Sequence, residues 1–476
     1  MAQKLLFLFS SLIIGAFLPA QDTQAENLFN NAATFMAAGK HQDALKDYQA
    51  IVDNYPNSGW ADKALLEIGH FYQHVEKNVE QALVYYTRIK EEHAQSESAP
   101  TAYYFSSEIR EHLANNRTEL DGAGNDLVRM IGLYPDSDKE ADALYLMGKI
   151  NARLGNFALA QSFLQQLLLY YPQSELIPKS FLLRARIAYY SGNKELAMEI
   201  LARMQGHFPS DRSSYQASME MGRLIERMLQ DQISYSLDRE FPASTPKTYR
   251  NPRLVQVTNN GTIAVVDNNG LHFLTRPGQE APRVNVNARD IQDLALTPQG
   301  DLAIGLSDRI ITLAEEGNAP SISVSELKSL AIDDFWRFYA LEDRQKDTML
   351  YDRKGAFLRK LGVEKSGMVR CRDQEVWILG PDDDSLIRFD ANIKHIGTAA
   401  SFDRVKDFCF DSLGNLYVIY NKGNNLAVLS REGERRANLD FKNGSFPLRQ
   451  AASVAVDRSG SIYVVDSRGG AVYRFF

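Results

Sequence analysis

The sequence predicts a multidomain chain that is all-α in its first half and β in its second, a superhelix of stacked helix pairs followed by a six-bladed β-propeller. Two observations predict this fold class. Within helix-period apolar patterns, a Tyr-Pro or Phe-Pro dipeptide recurs, and its prolines at 135, 172 and 209 are evenly spaced. Later in the chain, a period-2 pattern of short apolar strands recurs six times. Such repeats are typical of helical solenoids and of propellers.

Composition narrows the class of protein before any motif is considered. A chain of 476 residues is too long for one hydrophobic core, so several domains are expected. The formal net charge of -7 argues against a nucleic-acid partner. The only two cysteines, Cys371 and Cys409, leave no disulfide framework and no thiolate metal cage. Each cysteine stands at an inner-strand position that holds alanine in three of the repeated units, at Ala295, Ala331 and Ala455. We therefore expect both to be small packing residues with free thiols.

The first residues are expected to act as a signal peptide. Lys4 supplies a positive charge, an apolar run follows from Leu5 to Leu18, and Pro19 ends that run. Small residues allow cleavage after Ala20 or after Ala25, and the predicted signal spans residues 1–25. The run is short for a membrane span, so an uncleaved anchor is the less favoured alternative. We expect the protein to be exported, to the periplasm or beyond, with no transmembrane segment after cleavage.

Residues 26–232 are predicted to form five helix pairs and a capping helix. Gly39, Gly155 and Gly192 stand at the turn between the two helices of a pair, and a proline ends the second helix. The order of small, aromatic and proline residues resembles that of a tetratricopeptide repeat (TPR). The Tyr-Pro-x-Ser ending resembles TPR proteins of the Gram-negative envelope, such as the Tol–Pal coordinator and the outer-membrane assembly lipoprotein.

This resemblance implies a concave groove that binds a peptide. In the family the ninth position of each first helix points into the groove, and here that position holds Ala33, His70, His112, Lys149, Arg186 and Arg223. Neighbouring groove positions hold Tyr145, Lys179, Leu182 and Tyr189. A basic and aromatic strip suits an acidic or C-terminal peptide segment, because arginine binds carboxylates in bidentate fashion. The alternative is that these cations pair with Glu108, Asp142, Glu220 or Glu226.

Residues 253–476 are predicted to form the propeller, after a linker at 233–252 that contains Pro242 and Pro246. An Asp-x-x-Gly-x-Ile-Tyr-Val-Val-Asp unit, clearest at residues 457–466, resembles the NHL class of six-bladed propellers. Its turn glycine recurs at Gly261, Gly300, Gly414 and Gly460, where positive φ is expected. The last blade is too short for four strands, so segment 233–237, which alternates apolar and polar residues, is predicted to close the ring.

Nothing in the sequence indicates catalysis, a metal site or a cofactor. His70 and His74 have metal-ligand spacing but no evident third ligand, and the propeller half holds only His272 and His395. The loop at 382–384 is acidic but is more simply a solvated turn. We therefore expect a non-enzymatic scaffold of the cell envelope, possessing one partner site in the TPR groove and another on the propeller face.

That scaffold would associate with envelope proteins and membrane complexes. Two alternatives stay open at this point. One is a metal-dependent propeller hydrolase or lyase. The other is a glycan-binding propeller that stacks sugars on Trp336, Trp377 or Phe338.

Overall fold

The fold is helical up to residue 229 and β from residue 254 onwards, as the sequence predicts. It was obtained as a computed structural model that describes residues 22–241, 249–275, 279, 281–282, 284–313, 321–444 and 446–476. The predicted signal peptide up to residue 21, and Pro242 and Pro246 of the predicted linker, lie outside this part of the chain. No helix in the described ranges is long and apolar enough to span a bilayer.

Eleven helices fill the described part of the N-terminal half. They are α1 (22–37), α2 (His41–Asn54), α3 (Ala61–His74), α4 (Val79–Glu92), α5 (Ala99–Leu113), α6 (Arg117–Leu133), α7 (Glu140–Arg153), α8 (Phe157–Tyr170), α9 (Ile177–Tyr190), α10 (Lys194–His207) and α11 (Arg212–Leu229). Gly39, Gly155 and Gly192 have φ of 71°, 75° and 80°. These left-handed conformations let the chain reverse between paired helices, and they favour glycine because it has no Cβ.

Small residues allow the paired helices to approach closely. A Cβ built on Gly69 of α3 would lie 2.5 Å from a ring carbon of Tyr86 on α4, and one on Gly148 of α7 would lie 2.7 Å from Leu164 on α8. Both neighbours are fully buried. The small-residue positions of the sequence pattern therefore mark the helix crossings.

The propeller consists of six antiparallel sheets. Its strands are β1 (Leu254–Val257), β2 (Ile263–Val266), β3 (Leu271–Leu274), β4 (Ile291–Leu296), β5 (Leu302–Leu306), β6 (Arg309–Leu313), β7 (Ile322–Ser323), β8 (Leu327–Ile332), β9 (Phe338–Glu342), β10 (Asp347–Tyr351), β11 (Phe357–Lys360), β12 (Met368–Arg372), β13 (Glu375–Leu379), β14 (Ser385–Phe389), β15 (His395–Ser401), β16 (Asp407–Phe410), β17 (Leu416–Tyr420), β18 (Asn425–Leu429), β19 (Arg435–Asp440), β20 (Ala451–Val456), β21 (Ile462–Asp466) and β22 (Ala471–Phe475). Blades 2 to 5 have four strands each, whereas the described residues give blades 1 and 6 three. The inner strands β1, β4, β8, β12, β16 and β20 follow one another around the ring.

In most blades, the turn after the inner strand contains a residue with positive φ. Gly261, Gly300, Gly414 and Gly460 have φ between 79° and 85°, so the predicted positive φ is confirmed. In blade 3 the same position holds Trp336 with φ of 56°, and its N–H bonds to the Asp333 carbonyl at 2.9 Å as glycine does elsewhere. The missing glycine of that blade is therefore replaced by a strained residue in the same turn.

Residues just after α11 pair with the outer edge of blade 6. Leu237 forms an antiparallel bridge with Phe475, and the backbone groups of Ser236 and Phe476 exchange two hydrogen bonds of 3.0 Å. The Asp238 N–H also bonds to the Arg474 carbonyl at 2.8 Å. This stretch thus occupies the place of the outer strand that blade 6 lacks.

The chain divides into two compact units, Met1–Ile177 and Pro178–Phe476. The sequence pattern predicts the change at residue 232, where the helical repeats end. Helices α9 to α11 belong instead to the propeller unit, because they share one hydrophobic core with blades 5 and 6. That core includes Ala188, Tyr189, Leu201, Leu224, Ile225, Tyr235, Leu413, Tyr417, Leu426, Val454, Ile462 and Phe475.

Candidate functional site

A hollow of about 250 Å³ lies on the first helices of the N-terminal unit. Helices α1, α3 and α5 supply its walls, and its lining residues are Met36, Glu67, His70, Phe71, His74, Val75 and Phe105. Val75 is half exposed at the rim. Most of the lining is aromatic or aliphatic, so the hollow offers an apolar surface with two imidazoles and one carboxyl group.

His70 is the most strongly perturbed group of this hollow. Its ring meets the ring of Phe105 edge to face at 5.0 Å, and its Nε2 is buried without a hydrogen-bond partner in the described part of the chain. Burial, together with the nearby His74 and Lys139, lowers the pKa of His70 to about 4. His70 is therefore uncharged at neutral pH.

One cation, Lys139, flanks the aromatic side of the hollow. The Lys139 ammonium lies 5.8 Å from the ring centre of Tyr104 and 5.7 Å from that of Phe105. Tyr104 donates a hydrogen bond of 3.1 Å to Glu108. A positive charge next to aromatic faces favours a ligand that combines apolar and anionic groups.

Lys149 is held by an ion pair within the N-terminal unit. Its Nζ lies 3.0 Å from Glu111, which also accepts a hydrogen bond from Arg153. Burial raises the pKa of Glu111, but the charges of Lys149 and Arg153 outweigh burial and leave that pKa below its usual value. Lys149 therefore pairs with an acidic residue, as the alternative to peptide binding predicts. Its partner is Glu111 and not one of the four acidic residues that the sequence suggested.

The other predicted groove residues are divided between the two units. In the N-terminal unit, His112 is exposed on α5 and Tyr145 is half-buried on α7. In the propeller unit, Lys179 and Arg186 are exposed on α9, and Arg223 is exposed on α11.

Tyr189 packs against blade 5 of the propeller. Its side chain is fully buried, and its hydroxyl donates a hydrogen bond of 2.8 Å to Asn415 Oδ1. The groove expectation for this residue is corrected accordingly: Tyr189 joins α9 to the propeller and presents no open surface to a peptide.

Further contacts bind the last helices to the propeller. The Tyr190 hydroxyl donates to Asp373 at 3.3 Å, and the Arg431 guanidinium lies 4.1 Å from the Tyr190 ring centre. Arg227 of α11 donates to the Gly460 carbonyl at 2.7 Å. These polar contacts lie beside the shared hydrophobic core and fix α9 and α11 on one end of the propeller.

An arginine joins opposite sides of the propeller channel. Arg370 of β12 bonds to Asp293 of β4 at 2.8 Å and to Asp407 of β16 at 3.1 Å. Burial lowers the pKa of Arg370, but the two carboxylates raise it above its usual value. The guanidinium is therefore permanently charged and is neutralised within the channel.

The two aspartates also connect neighbouring blades. Asp293 accepts hydrogen bonds from Ser329 Oγ at 2.7 Å and from the Leu330 N–H at 2.9 Å. Asp407 accepts equivalent bonds from Ser453 Oγ at 2.7 Å and from the Val454 N–H at 3.0 Å. Blades 2 and 3, and blades 5 and 6, are thus joined by the same device.

Sequence reasoning missed this network, although a signal was present. Asp293, Ser329, Asp407 and Ser453 stand two residues before Ala295, Ala331, Cys409 and Ala455, which share one inner-strand position. Asp293 and Ser329 belong to consecutive blades, and so do Asp407 and Ser453. An Asp-Ser pair repeated in that way indicates a polar connection between inner strands. Arg370 has no counterpart at the same position of the other blades, so no repeat in the sequence points to it.

A cavity of about 450 Å³ lies between this network and α9. Its lining residues include Arg186 and Tyr190 of α9, the propeller residues Gln256, Asn259, Asp293, Gln299, Asp334, Arg370, Asp373, Asp407, Asp411 and Arg458, and both cysteines. Cys371 and Cys409 are free thiols, and burial raises the pKa of each. Unreactive thiols fit their expected role as small packing residues on the inner strands.

The aromatics proposed for sugar stacking are mostly in the blade core. Trp377 is 4% exposed and Phe338 is 3% exposed, so neither offers a ring face to a glycan. Trp336 has its ring covered by the Arg353 guanidinium at 4.8 Å. Among the described residues there is no group of three or more metal-ligating side chains, and Asp382 bonds instead to its own turn, at Ser385.

The family model for the tetratricopeptide repeat matches residues 26–58 and 142–174, so the prediction of tetratricopeptide repeats is confirmed for these two segments. No curated protein sequence matches the chain.

Solved structures match each half at low identity. A streptogramin B lyase is 11% identical, with a TM-score of 0.39, covering 51% of this chain and 97% of that one. A tetratricopeptide repeat protein from Parabacteroides merdae is 18% identical, with a TM-score of 0.36, covering 43% and 74%. The MamA protein is 16% identical, with a TM-score of 0.32, covering 40% and 94%. Such values carry no conclusion about activity or partners. The chain combines tetratricopeptide repeats with a six-bladed β-propeller.

Proposed function

We propose that this protein is an exported, non-enzymatic scaffold of the cell envelope, in which the N-terminal repeats bind a segment of one partner protein and the propeller docks a second. The tetratricopeptide repeats and the propeller both support a role in protein–protein interaction. The proposal of export depends on the charged start, the apolar run and the small residues of the first 25 positions. The envelope is proposed from the resemblance of the Tyr-Pro-x-Ser ending.

The observation that carries the scaffold proposal is the hollow on α1, α3 and α5. Its volume of about 250 Å³ accommodates one or two large apolar side chains of a peptide. Peptide grooves of helical proteins obtain affinity from such anchors, because burying a large apolar side chain contributes about 1.5–3 kcal/mol.

Charge near the hollow defines the segment further. Lys139 lies beside the aromatic wall, so an acidic residue or a terminal carboxylate next to the apolar anchor would gain a favourable interaction. His70 adds no charge at neutral pH, since its pKa is far below its usual value. We therefore propose an apolar anchor with a neighbouring carboxylate as the recognised feature.

The second partner is proposed to bind the side of the propeller. Phe357 and Leu358 on β11 are 54% and 48% exposed, and Ile396 on β15 is 42% exposed. These residues lie on the outermost strands of the consecutive blades 3 and 4. Exposed apolar residues on outer strands favour contact with another protein.

The non-enzymatic part of the proposal is supported by the chemistry of the channel. The carboxylates of Asp293 and Asp407 each accept bonds from a serine hydroxyl, from backbone N–H groups and from Arg370. Carboxylates engaged in this way connect blades and have little capacity left for proton transfer.

The test compares two exposed valines, one in the hollow and one outside it. Val75 lines the hollow and is 49% exposed, whereas Val84 on α4 is 50% exposed and outside the lining. Proteins recovered from envelope extracts by the wild type and by Val84→Asp, but lost with Val75→Asp, identify partners of the hollow. Peptides from those partners are then titrated against all three proteins.

We expect Val75→Asp to weaken peptide binding about tenfold or more, because the anchor would bury a charge. Val84→Asp should bind as the wild type does. Equal peptide affinity for Val75→Asp and wild type, with both variants folded, would overturn the hollow as the binding site.

A further inference from the structure

The channel mouth, defined here as the cavity between α9 and the Arg370 network, has the size of a small-molecule site. Its volume of about 450 Å³ is within the usual range for ligand pockets, roughly 300–1,000 Å³. Helix α9 contributes Arg186 and Tyr190, and several blades supply the remaining walls. This site is distinct from the hollow of the N-terminal unit, and a protein-binding scaffold does not require it.

The floor of the channel mouth holds one guanidinium bonded to two carboxylates, so it offers no unpaired positive charge to a ligand. Arg370 is bonded to Asp293 and to Asp407, and both carboxylates are further bonded to neighbouring blades. A ligand therefore meets a closed polar floor, and its charge must be recognised nearer the rim.

Two guanidinium groups lie at the rim. Arg186 and Arg458 both line the cavity, and neither forms an ion pair with any residue in the described ranges. Arg458 is oriented by a hydrogen bond of 3.2 Å from its Nε to Asn259 Oδ1. The Asn259 amide is itself fixed, because its Nδ2 donates to the Gln299 carbonyl at 2.7 Å.

The two arginines line the same cavity, and their charges influence each other. Burial lowers the pKa of Arg458, the carboxylate of Glu220 on α11 raises it, and the charge of Arg186 lowers it by a smaller amount. Both arginine side chains are exposed, so an anion can reach them from solvent. An anion between them would interact favourably with two positive charges.

Acidic residues line other walls of the channel mouth. Asp373 is engaged by Arg431 at 2.7 Å and by the Tyr190 hydroxyl. Asp334 also lines the cavity. Carboxylate oxygens accept hydrogen bonds from hydroxyl groups, so these walls favour a ligand rich in hydroxyls and disfavour a second negative charge.

We propose that the channel mouth binds a small polyhydroxy carboxylate, such as a sugar acid, with its carboxylate between Arg186 and Arg458 and its hydroxyl groups toward the acidic walls. The planar guanidinium fork suits bidentate binding of a carboxylate. A hexose-sized acid fits comfortably within the available volume.

The experiment uses isothermal titration calorimetry on the full mature chain. The probes are D-glucuronate, D-galacturonate and D-gluconate, with D-glucose as the neutral control and succinate as the control that lacks hydroxyls. We expect at least one polyhydroxy acid to bind with a dissociation constant below about 1 mM, and glucose and succinate to bind at least tenfold more weakly.

Variants locate the binding within the molecule. Arg186→Gln and Arg458→Gln should each weaken binding about tenfold or more, because each removes a charged hydrogen bond. Arg186→Lys should retain part of the affinity, since it keeps the charge without the fork. Arg239→Gln removes an exposed arginine outside the cavity lining and should leave the affinity unchanged.

Three results would overturn the proposal. The first is that none of the three acids binds. The second is that succinate or glucose binds as well as the acids do. The third is that the Arg186→Gln and Arg458→Gln proteins, shown by circular dichroism to be folded, bind like wild type. If only one variant folds, the other still decides, because each arginine is required.

Discussion

At the scale of single residues, one aspartate organises the turn of several blades. Asp333, Asp411 and Asp457 each accept backbone N–H groups from the following turn. Each also accepts a hydrogen bond from a tyrosine hydroxyl six residues later, at 2.9, 3.1 and 3.0 Å. The repeated Asp and Tyr of the propeller sequence are therefore partners, and the buried tyrosine hydroxyl is satisfied by the turn it supports.

His70 should make the stability of the N-terminal unit depend on pH. Its folded-state pKa of about 4 is below the unfolded value of 6.5, so protonation favours the unfolded chain. The contribution of neutral His70 is complete above pH 6.5 and is lost as the pH falls toward 4. We expect the free energy of unfolding to fall by about 1–3 kcal/mol more between pH 7 and pH 4 in wild type than in His70→Gln.

Urea unfolding followed by circular dichroism at 222 nm measures this difference, because the signal reports mainly the helices. Using the change with pH, rather than the stability itself, cancels any general effect of the substitution. The same pH dependence in both proteins would show that His70 is not desolvated as described.

At the scale of elements, the stretch at 236–238 completes the edge of blade 6. Its backbone bonds with Phe476 and Arg474 cover donors and acceptors that an open edge strand would leave unpaired. Phe475 is fully buried between Phe441 and Phe446, so the same edge is fixed by packing. The chain thereby joins the end of the last helix to the final strand of the propeller.

Ser236→Pro should destabilise the propeller unit. Proline removes the N–H that bonds to the Phe476 carbonyl, and we expect a loss of about 1–3 kcal/mol in the free energy of unfolding. Ser236→Ala keeps that N–H and is the matched control, with a change below about 0.5 kcal/mol.

Tryptophan fluorescence in urea suits this measurement, because two of the three tryptophans, Trp336 and Trp377, belong to the propeller. Identical unfolding curves for the proline and alanine variants would mean that this stretch does not contribute to closure of the ring.

At the scale of the whole molecule, the two compact units do not coincide with the change from helix to strand. The repeat pattern predicts that the helical domain ends at residue 232, whereas the two compact units separate after Ile177. Helices α9 to α11 bury their apolar faces against blades 5 and 6. Hydrophobic contact, rather than secondary structure, decides which segments form one unit.

The structure also bears on where an exported chain would be cleaved. Ala25 is fully buried within α1, Asp22 accepts a hydrogen bond of 3.2 Å from the Gly59 N–H, and Gln24 accepts one of 2.9 Å from Tyr55. Cleavage after Ala20 keeps all three contacts, whereas cleavage after Ala25 removes them. We expect mass spectrometry of the exported protein to give Gln21 as its first residue.

A first residue of Glu26 would show that these contacts are dispensable. Recovery of the chain with residues 1–20 still attached would contradict processed export itself. Ala20→Arg provides the control, because a large charged residue at the cleavage position should block processing and leave the longer chain.

Much of the architecture follows from local sequence. Gly39, Gly155 and Gly192 mark turns that require positive φ, and the strand pattern gives all six blades. Both signals are local, because a turn or an alternating strand depends on residues close together in the chain. The candidate hollow was anticipated only through His70, since Val75 and Phe105 enter it from positions that no repeat column marks.

The sequence by itself determined the repeats, the order of helix and strand, and the types of residue on the first-helix positions. Only the tertiary structure decided which of those residues are exposed and what they contact. Arg186 reaches the channel mouth and Tyr189 is buried against Asn415, because α9 packs on the propeller. Contacts between segments more than 200 residues apart depend on how whole surfaces fit, and no local pattern encodes that fit.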